Sequence, residues 1–522
     1  MAIEKMASSL EGIECSPIQI ISLNEYTLGW SRCKQYENLH KFNNVYFIGK
    51  LKFTEKACET LIIHDTLFLK EKIPPLTNGT IIYFSEDQFI VEPLNVTNIF
   101  YSPDSVSDMQ LLIADAEGYI PSHEGVAILS AVGYFPGNIT LFKEIKKIPF
   151  LCSYDLINRI EINQQTVKYH EPDDLMMIKR LQKIVPEHPE QYLGLTAGKD
   201  SRFIFGILNS RGIIPTAIHI ESDEQKLVKD LVESLGCPYI FVPQTASRLS
   251  RRVYTLATDA QIYATGSALG AISSYINKDS IFHSGTFAGS ILKNVFKTAV
   301  KIPGPKSKVY DKCIKMLLGS VRYITADLKS VNTYSELFNY LYKELAFGNN
   351  YLRLKTKKET ANWFYYLHRG IRWGNAAVME LSYFTNPIFL LADLEALSYG
   401  ISSTLWDNYA YERIVKLNTR LLPTVNTSYK IDVKLSRNPI LKLYQKAKFE
   451  YFQRFLTMKK HEKEFKLNSQ KEYKTRGFDV IEPKSFQKYY SKDIDQLTHS
   501  PASFSLKRAA VTIAFVLNYL EK

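Results

Sequence analysis

Hydrophobic and polar positions change their period along this chain, and the change divides it. Through the first third, apolar residues come in short runs. Examples are Asn44-Val-Tyr-Phe-Ile-Gly-Lys-Leu-Lys-Phe53, Thr80-Ile-Ile-Tyr-Phe-Ser85 and Gln88-Phe-Ile-Val-Glu92, punctuated by Gly, Asn, Asp and Pro. Runs of this kind predict strands and turns. A sheet-rich domain over 1–174 follows, closing near Glu171-Pro-Asp-Asp174. From there the period lengthens. Leu175 to Ile184 has helical spacing, the run ending at Tyr192-Leu-Gly-Leu195 reads as a buried strand, and Phe203 to Leu208 reads as a helix. Ile213 to Ile220 predicts a second buried strand, Lys226 to Leu235 a helix, and Pro238 to Val242 a third strand. Alternating strands and helices predict a parallel sheet flanked by helices, so 175–522 reads as an α/β domain. Most of 250–420 has helical character, and Leu506, Ala510, Ile513, Leu517 and Leu520 mark a terminal helix packed on the core. The chain shows no internal repeat and no low-complexity tract.

The candidate chemistry sits where the first parallel strand meets its helix. Leu195, Thr196, Ala197, Gly198, Lys199, Asp200, Ser201 and Arg202 form a small-residue turn that opens into the helix. Such a turn aims backbone N–H groups and the positive end of a helix dipole at one point, where a phosphate fits. Thr196, Ser201 and Lys199 add donors, and Asp200 adds a carboxylate able to hold Mg²⁺ between phosphates. In a parallel sheet, ligands sit at the C-terminal strand ends, where this loop lies. ATP with Mg²⁺ is the expected occupant.

Length and composition narrow the class. At 522 residues the chain exceeds one ordinary core, so two or three domains are expected. A formal net charge of +12 suits anionic ligands without demanding nucleic acid or a membrane. The basic stretch 434–476 reads as a solvated amphipathic face, with weak membrane-surface or partner-helix contact as its second reading. Cys15, Cys33, Cys58, Cys152, Cys237 and Cys313 are scattered, form no CxxC pair and read as free thiols. The first ten residues lack a signal-peptide apolar core, and the apolar run from Ala509 to Leu520 falls short of the about 20 residues a membrane span needs. The expected location is the cytoplasm.

The loop Leu195-Thr-Ala-Gly-Lys-Asp-Ser-Arg202 resembles the Ser-Gly-Gly-x-Asp-Ser pyrophosphate loop of the N-type ATP pyrophosphatases. Its surroundings resemble the asparagine-synthetase-like branch. Ile218-His-Ile-Glu-Ser-Asp-Glu-Gln225 is similar to that family's second strand and acidic turn. Gly133 to Pro149 is similar to its Pro-Gly…Thr-Leu-Phe…Leu-Pro segment. Arg372 to Glu380 with Pro387-Ile-Phe-Leu390 resembles its Arg…Glu…Pro-Phe-Leu-Asp segment, and Leu422-Pro423 with Lys430 its Leu-Pro…Lys segment. The order of the five carries more weight than any one of them.

The resemblance implies a fold: a parallel-sheet domain of the adenine nucleotide alpha hydrolase type, preceded by a degenerate Ntn-hydrolase-like glutaminase domain. It implies a chemistry as well. ATP adenylates a carboxylate, pyrophosphate leaves, and an amine attacks the acyl-adenylate to give an amide and AMP. Nucleotide contacts then fall on the loop residues, His219, Ser284 and Gly285, with Arg372, Glu380 and Lys430 as catalytic candidates. The partners expected are a small-molecule, sugar or peptide carboxylate and an amine donor, with no nucleic acid.

Two departures from the family bear on activity. The chain begins Met-Ala-Ile-Glu rather than with the cysteine that hydrolyses glutamine, so glutaminase activity is expected to be absent. The family's Ser-Gly-x-Gly-x-Asp-Glu segment supplies a second acidic contact for Mg²⁺. Its counterpart here, Phe282-His-Ser-Gly-Thr-Phe-Ala-Gly-Ser290, has no carboxylate, which leaves Asp223 and Glu380 as replacements. Two alternatives therefore stand beside amide synthesis: a lasso-type peptide cyclase, and an inactive nucleotide-binding or scaffold homologue.

Overall fold

The computed structural model describes strands within 19–91 and 152–163, and most of 98–148, 173–243, 251–318, 334–401, 412–423 and 482–521. Among these residues the backbone forms three sheets. In the first, Gln19–Leu23, Tyr26–Trp30, Ser105–Ser107, Phe100–Tyr101 and Lys146–Lys147 lie side by side in that order. In the second, Ile160–Asn163, Cys152–Asp155, Gln88–Val91, Ile82–Phe84, Val45–Ile48 and His40–Phe42 form an antiparallel series. Each of the runs expected to be strands near residues 44, 80 and 88 contains one, and 49–53 of the first run lie outside the described residues.

The third sheet is parallel throughout. Its order is Tyr239–Val242, Thr216–Ile220, Gln191–Gly194, Ile281–Ser284, Asn386–Ile388. The chain starts at the centre, lays two strands to one side, and returns to lay two on the other. Its three earlier strands were legible as apolar runs. The last two were not, because each lies in a region of helical character. Pro387 sits on the edge strand, where a missing backbone donor is tolerated. The protein is thus α/β, with a doubly wound parallel sheet.

Two buried clusters organise the described residues. One surrounds the parallel sheet and takes in Leu193, Ile218, Phe282 and Ile388, together with Phe203, Ile204 and Ile207 of the helix Lys199–Asn209. The other joins Phe100, Val126, Leu129 and Phe135 to Val253, Ile314, Leu341 and Phe364, and to Ile513 and Leu517 of the terminal helix Phe504–Leu520. That second core draws on residues from both sides of position 174. Among the described residues, no helix is long and apolar enough to cross a membrane.

The helix Lys199–Asn209 is enclosed on several sides, since Phe203, Ile204, Phe205, Ile207 and Leu208 are all buried. A helix apolar around its girth belongs inside a protein. The sheet covers one face, and the helix Glu412–Leu421 covers another. Gly206 allows that second contact: a Cβ there would lie 2.8 Å from the Leu421 Cβ. The body of this helix is therefore packed on more than one side.

His283 lies fully buried on the strand Ile281–Ser284. Its Nε2–H donates to Gln191 Oε1 at 2.7 Å, while the Gln191 amide NH₂ donates to the carbonyls of Pro186 and His188. Burial disfavours the imidazolium and pushes its pKa down to about 3. The folded value lies below the unfolded one of about 6.5, so stability is complete above that pH and falls as the solution is acidified. Between pH 6 and 4, urea unfolding of the wild type should lose about 1 kcal/mol per pH unit more than His283→Gln does. Equal slopes would contradict the burial of a neutral imidazole.

Candidate functional site

The order of the parallel sheet reverses between Gln191–Gly194 and Ile281–Ser284. At such a switch point the loops leaving adjacent strands diverge, one to each face of the sheet, and open a crevice at the carboxyl ends. Two segments lead into this crevice: the loop Leu195–Gly198 with the start of the helix Lys199–Asn209, and Ser284–Gly285. The five residues from Thr196 to Asp200 thus stand where a ligand of a doubly wound sheet is expected.

The loop is tied by its own side chains. The Thr196 N–H donates to Ser201 Oγ at 3.2 Å, and the Gly198 N–H donates to Thr196 Oγ1 at 3.1 Å. Ser201 Oγ also lies 3.3 Å from the Thr196 carbonyl and 3.4 Å from the Gly198 carbonyl. One hydroxyl proton cannot serve both, and these distances exceed the usual 2.7–2.8 Å of an O–H···O bond. Ala197 adds a Cβ where the resembled motif has glycine, yet its φ is not positive and it packs, partly buried, against the core around the sheet. Its methyl group therefore does not require the strained backbone that glycine would relieve.

Charge is gathered in the first turn. Lys199 is buried, 7% exposed, and Arg202 is buried, 1% exposed, while Asp200 is partly exposed between them in sequence. The helix start adds positive potential from its N–H groups. The Arg202 Nε–H donates to the Gly198 carbonyl at 3.3 Å, and Nη2 reaches the Ala197 carbonyl at 3.5 Å. Asn418, buried on the helix Glu412–Leu421, donates from Nδ2 to the Lys199 carbonyl at 3.1 Å. Nothing in the sequence pattern distinguished Asn418 from other polar positions of that helix; its role follows from how the two helices pack.

His219 joins the loop to the neighbouring strand end. Its Nδ1 is 3.0 Å from the Leu195 carbonyl, which can only accept, so Nδ1 carries the proton and Nε2 accepts from the Ser222 hydroxyl at 3.1 Å. Burial is the main influence on its pKa and lowers it, against smaller upward effects of the Leu195 carbonyl and Glu224. A neutral imidazole fits these partners. His219 thus positions the loop through Leu195.

Ser284 and Gly285 complete the crevice. The Ser284 and Thr286 hydroxyls are 2.7 Å apart, and the Thr286 N–H donates to Ser284 Oγ at 3.2 Å. A Cβ on Gly285 would lie 2.7 Å from the Ser201 nitrogen and 2.9 Å from the Asp200 carbonyl carbon. Only glycine permits that approach. Phe287 has φ 77°, a left-handed conformation that strains a bulky residue, and it occupies the position of the second glycine in the resembled motif. Its ring is buried against Gly374, Phe389 and Tyr366, which holds the strained backbone in place.

The other expected residues are placed differently. Arg372 and Glu380 lie on the helix Arg372–Ser382, 1% and 2% exposed. Arg372 Nη1 donates to Asn98 Oδ1 at 2.8 Å, tying this helix to the segment before the strand Phe100–Tyr101. The helix meets the Ser284–Phe287 turn through Gly374, where a Cβ would come 2.4 Å from the Phe287 ring. Lys430, Asp223 and the stretch 434–476 lie outside the described residues. Among the described residues, no group of three or more His, Cys, Asp or Glu side chains gathers as a metal site. Asp200 is the carboxylate at the loop. One carboxylate, nucleotide phosphates and several waters suit Mg²⁺ brought in with ATP, since that ion keeps much of its hydration.

Comparison with known protein families and with curated proteins finds no match to this chain. The site therefore has to be argued from its own residues. Gly285→Ala should destabilise the fold by about 1–3 kcal/mol, because the added methyl group must push the helix start aside. Urea unfolding would measure this, and an unchanged unfolding free energy would contradict the close approach.

Proposed function

We propose that this protein binds ATP with Mg²⁺ at the switch point of its parallel sheet and uses it to adenylate a carboxylate. Pyrophosphate leaves as the acyl-adenylate forms. A substrate amine or ammonia then attacks the acyl carbon, giving an amide and AMP and releasing a proton. The observation that carries this reading is the placement of the Thr196–Ser201 turn and Ser284–Gly285 on adjacent strand ends where the strand order reverses. The turn's resemblance to the pyrophosphate loop of asparagine-synthetase-like ligases supplies the reaction.

The residues divide the work by position. Backbone N–H groups of the helix start, with the hydroxyls of Thr196 and Ser201, hold the phosphate oxygens. Lys199 and Arg202 offset the negative charge that grows on the departing pyrophosphate, and being buried they act with little screening by water. Asp200 is the residue that would hold Mg²⁺, whose contribution is to neutralise phosphate charge. The carboxylate substrate is a small molecule, a sugar acid or a peptide side chain.

A second reading, a nucleotide-binding protein without turnover, is favoured by one observation: Ser284 to Ala288 contains no carboxylate opposite Asp200. Two measurements separate the readings. Calorimetric titration with ATP and Mg²⁺ reports binding, and pyrophosphate release over a panel of uronic acids and amino acids reports turnover. The ligase reading expects both, with release falling about 100-fold or more in Asp200→Asn. Binding without release for any carboxylate favours the second reading. No binding by the folded protein at millimolar ATP overturns both.

A further inference from the structure

We infer that Arg202 is a positioning residue that sets the polarity of the loop, turning its N–H groups toward the nucleotide, rather than a residue that touches the phosphates. The inference rests on the nucleotide reading of the loop and gives one of its residues a role the sequence did not suggest. Arg202 is 1% exposed, and its guanidinium meets the Gly198 carbonyl at 3.3 Å and the Ala197 carbonyl at 3.5 Å. Two consecutive peptide groups thus present their oxygens to one buried cation.

The geometry of the peptide bond does the rest. In a trans peptide the C=O and the N–H of the next residue point in opposite directions. Holding the Ala197 and Gly198 oxygens on the Arg202 side therefore sends the Gly198 and Lys199 N–H groups to the other side. Gly198 N–H already shows this, since it donates to Thr196 Oγ1 at 3.1 Å. The Gly198 carbonyl, at the helix cap, also takes the first helical bond, so it is the Ala197–Gly198 plane that the guanidinium keeps from flipping and presenting its oxygen to an anion. A planar fork engages two neighbouring carbonyls at once, which a lysine ammonium, a single point donor, cannot reproduce in the same geometry. The buried charge also adds positive potential under the loop.

The test uses the full chain with Arg202→Met, which keeps bulk but loses charge and donors, and Arg202→Lys, which keeps charge alone. Calorimetry measures affinity for ATP, inorganic pyrophosphate and AMP, and circular dichroism reports folding. Arg202→Met should weaken ATP and pyrophosphate roughly tenfold or more and leave AMP within about twofold, because AMP lacks the two phosphates assigned to the loop. Arg202→Lys should recover only part of the loss. Equal weakening of ATP and AMP would mean a purely structural role and would overturn the inference. So would wild-type affinity for pyrophosphate in either variant. Should Arg202→Met fail to fold, Arg202→Lys decides the question by the same comparison. If the wild type binds neither ATP nor pyrophosphate, the nucleotide reading falls and takes this inference with it; if the wild type binds and the variants match it, only the role of Arg202 falls.

Discussion

The arrangement at the switch point depends on how closely the Gly285 backbone approaches the first turn of the helix Lys199–Asn209. A single Cβ there would lie 2.7 Å from the Ser201 nitrogen, closer than side-chain carbons come to backbone atoms. This contact brings the ends of two adjacent parallel strands together. It presses on the helix start from the side of Ile281–Ser284, while Asn418 holds the Lys199 carbonyl and Leu421 closes over Gly206. The first turn is thereby fixed before a ligand binds, so little ordering entropy remains to oppose binding. The same constraint reaches outward, because the turn that begins at Gly285 continues to Phe287 and fits it against Gly374.

The electrostatics of this crevice favour an anion. Two buried cations, Lys199 and Arg202, and a helix start stand beside the carboxylate of Asp200, with Glu224 near enough to act on His219. His219 adds no charge, because burial lowers its pKa and its two partners suit the neutral ring. A nucleotide carrying Mg²⁺ through a single carboxylate fits this balance. The absence of a carboxylate from Ser284 to Ala288 makes the crevice better suited to holding phosphates than to holding a second divalent ion.

Legibility in the sequence followed the length and continuity of each pattern. The run into Leu195, the small residues that follow it and the apolar helix after them each announce one structural state, and the loop lies where they place it. Ser284 and Gly285 were named through the resemblance, but the strands Ile281–Ser284 and Asn386–Ile388 were not read as strands, because they lie in a stretch of helical character. Arg372 was legible only through the resemblance of the stretch Arg372 to Glu380 to an Arg…Glu segment, and its bond to Asn98 links segments far apart in the chain, which no local pattern encodes. Asn418 was hidden for the same reason, since it acts through the packing of two helices, and Phe287 for another, since it adopts a backbone angle that its residue type argues against. Arg202 was named among the loop residues, and its contacts to the Gly198 and Ala197 carbonyls link atoms of the folded turn, which no residue pattern announces.

The central claim is that the crevice between the two strand ends receives a nucleotide. Hydrogen–deuterium exchange with and without ATP and Mg²⁺ tests it directly, because backbone N–H groups are the proposed contacts. The account predicts slower exchange in peptides covering 195–202, 219–222 and 284–287, with the terminal helix Phe504–Leu520 unchanged. Protection elsewhere with the loop unaffected, or no protection at millimolar ATP, would contradict it.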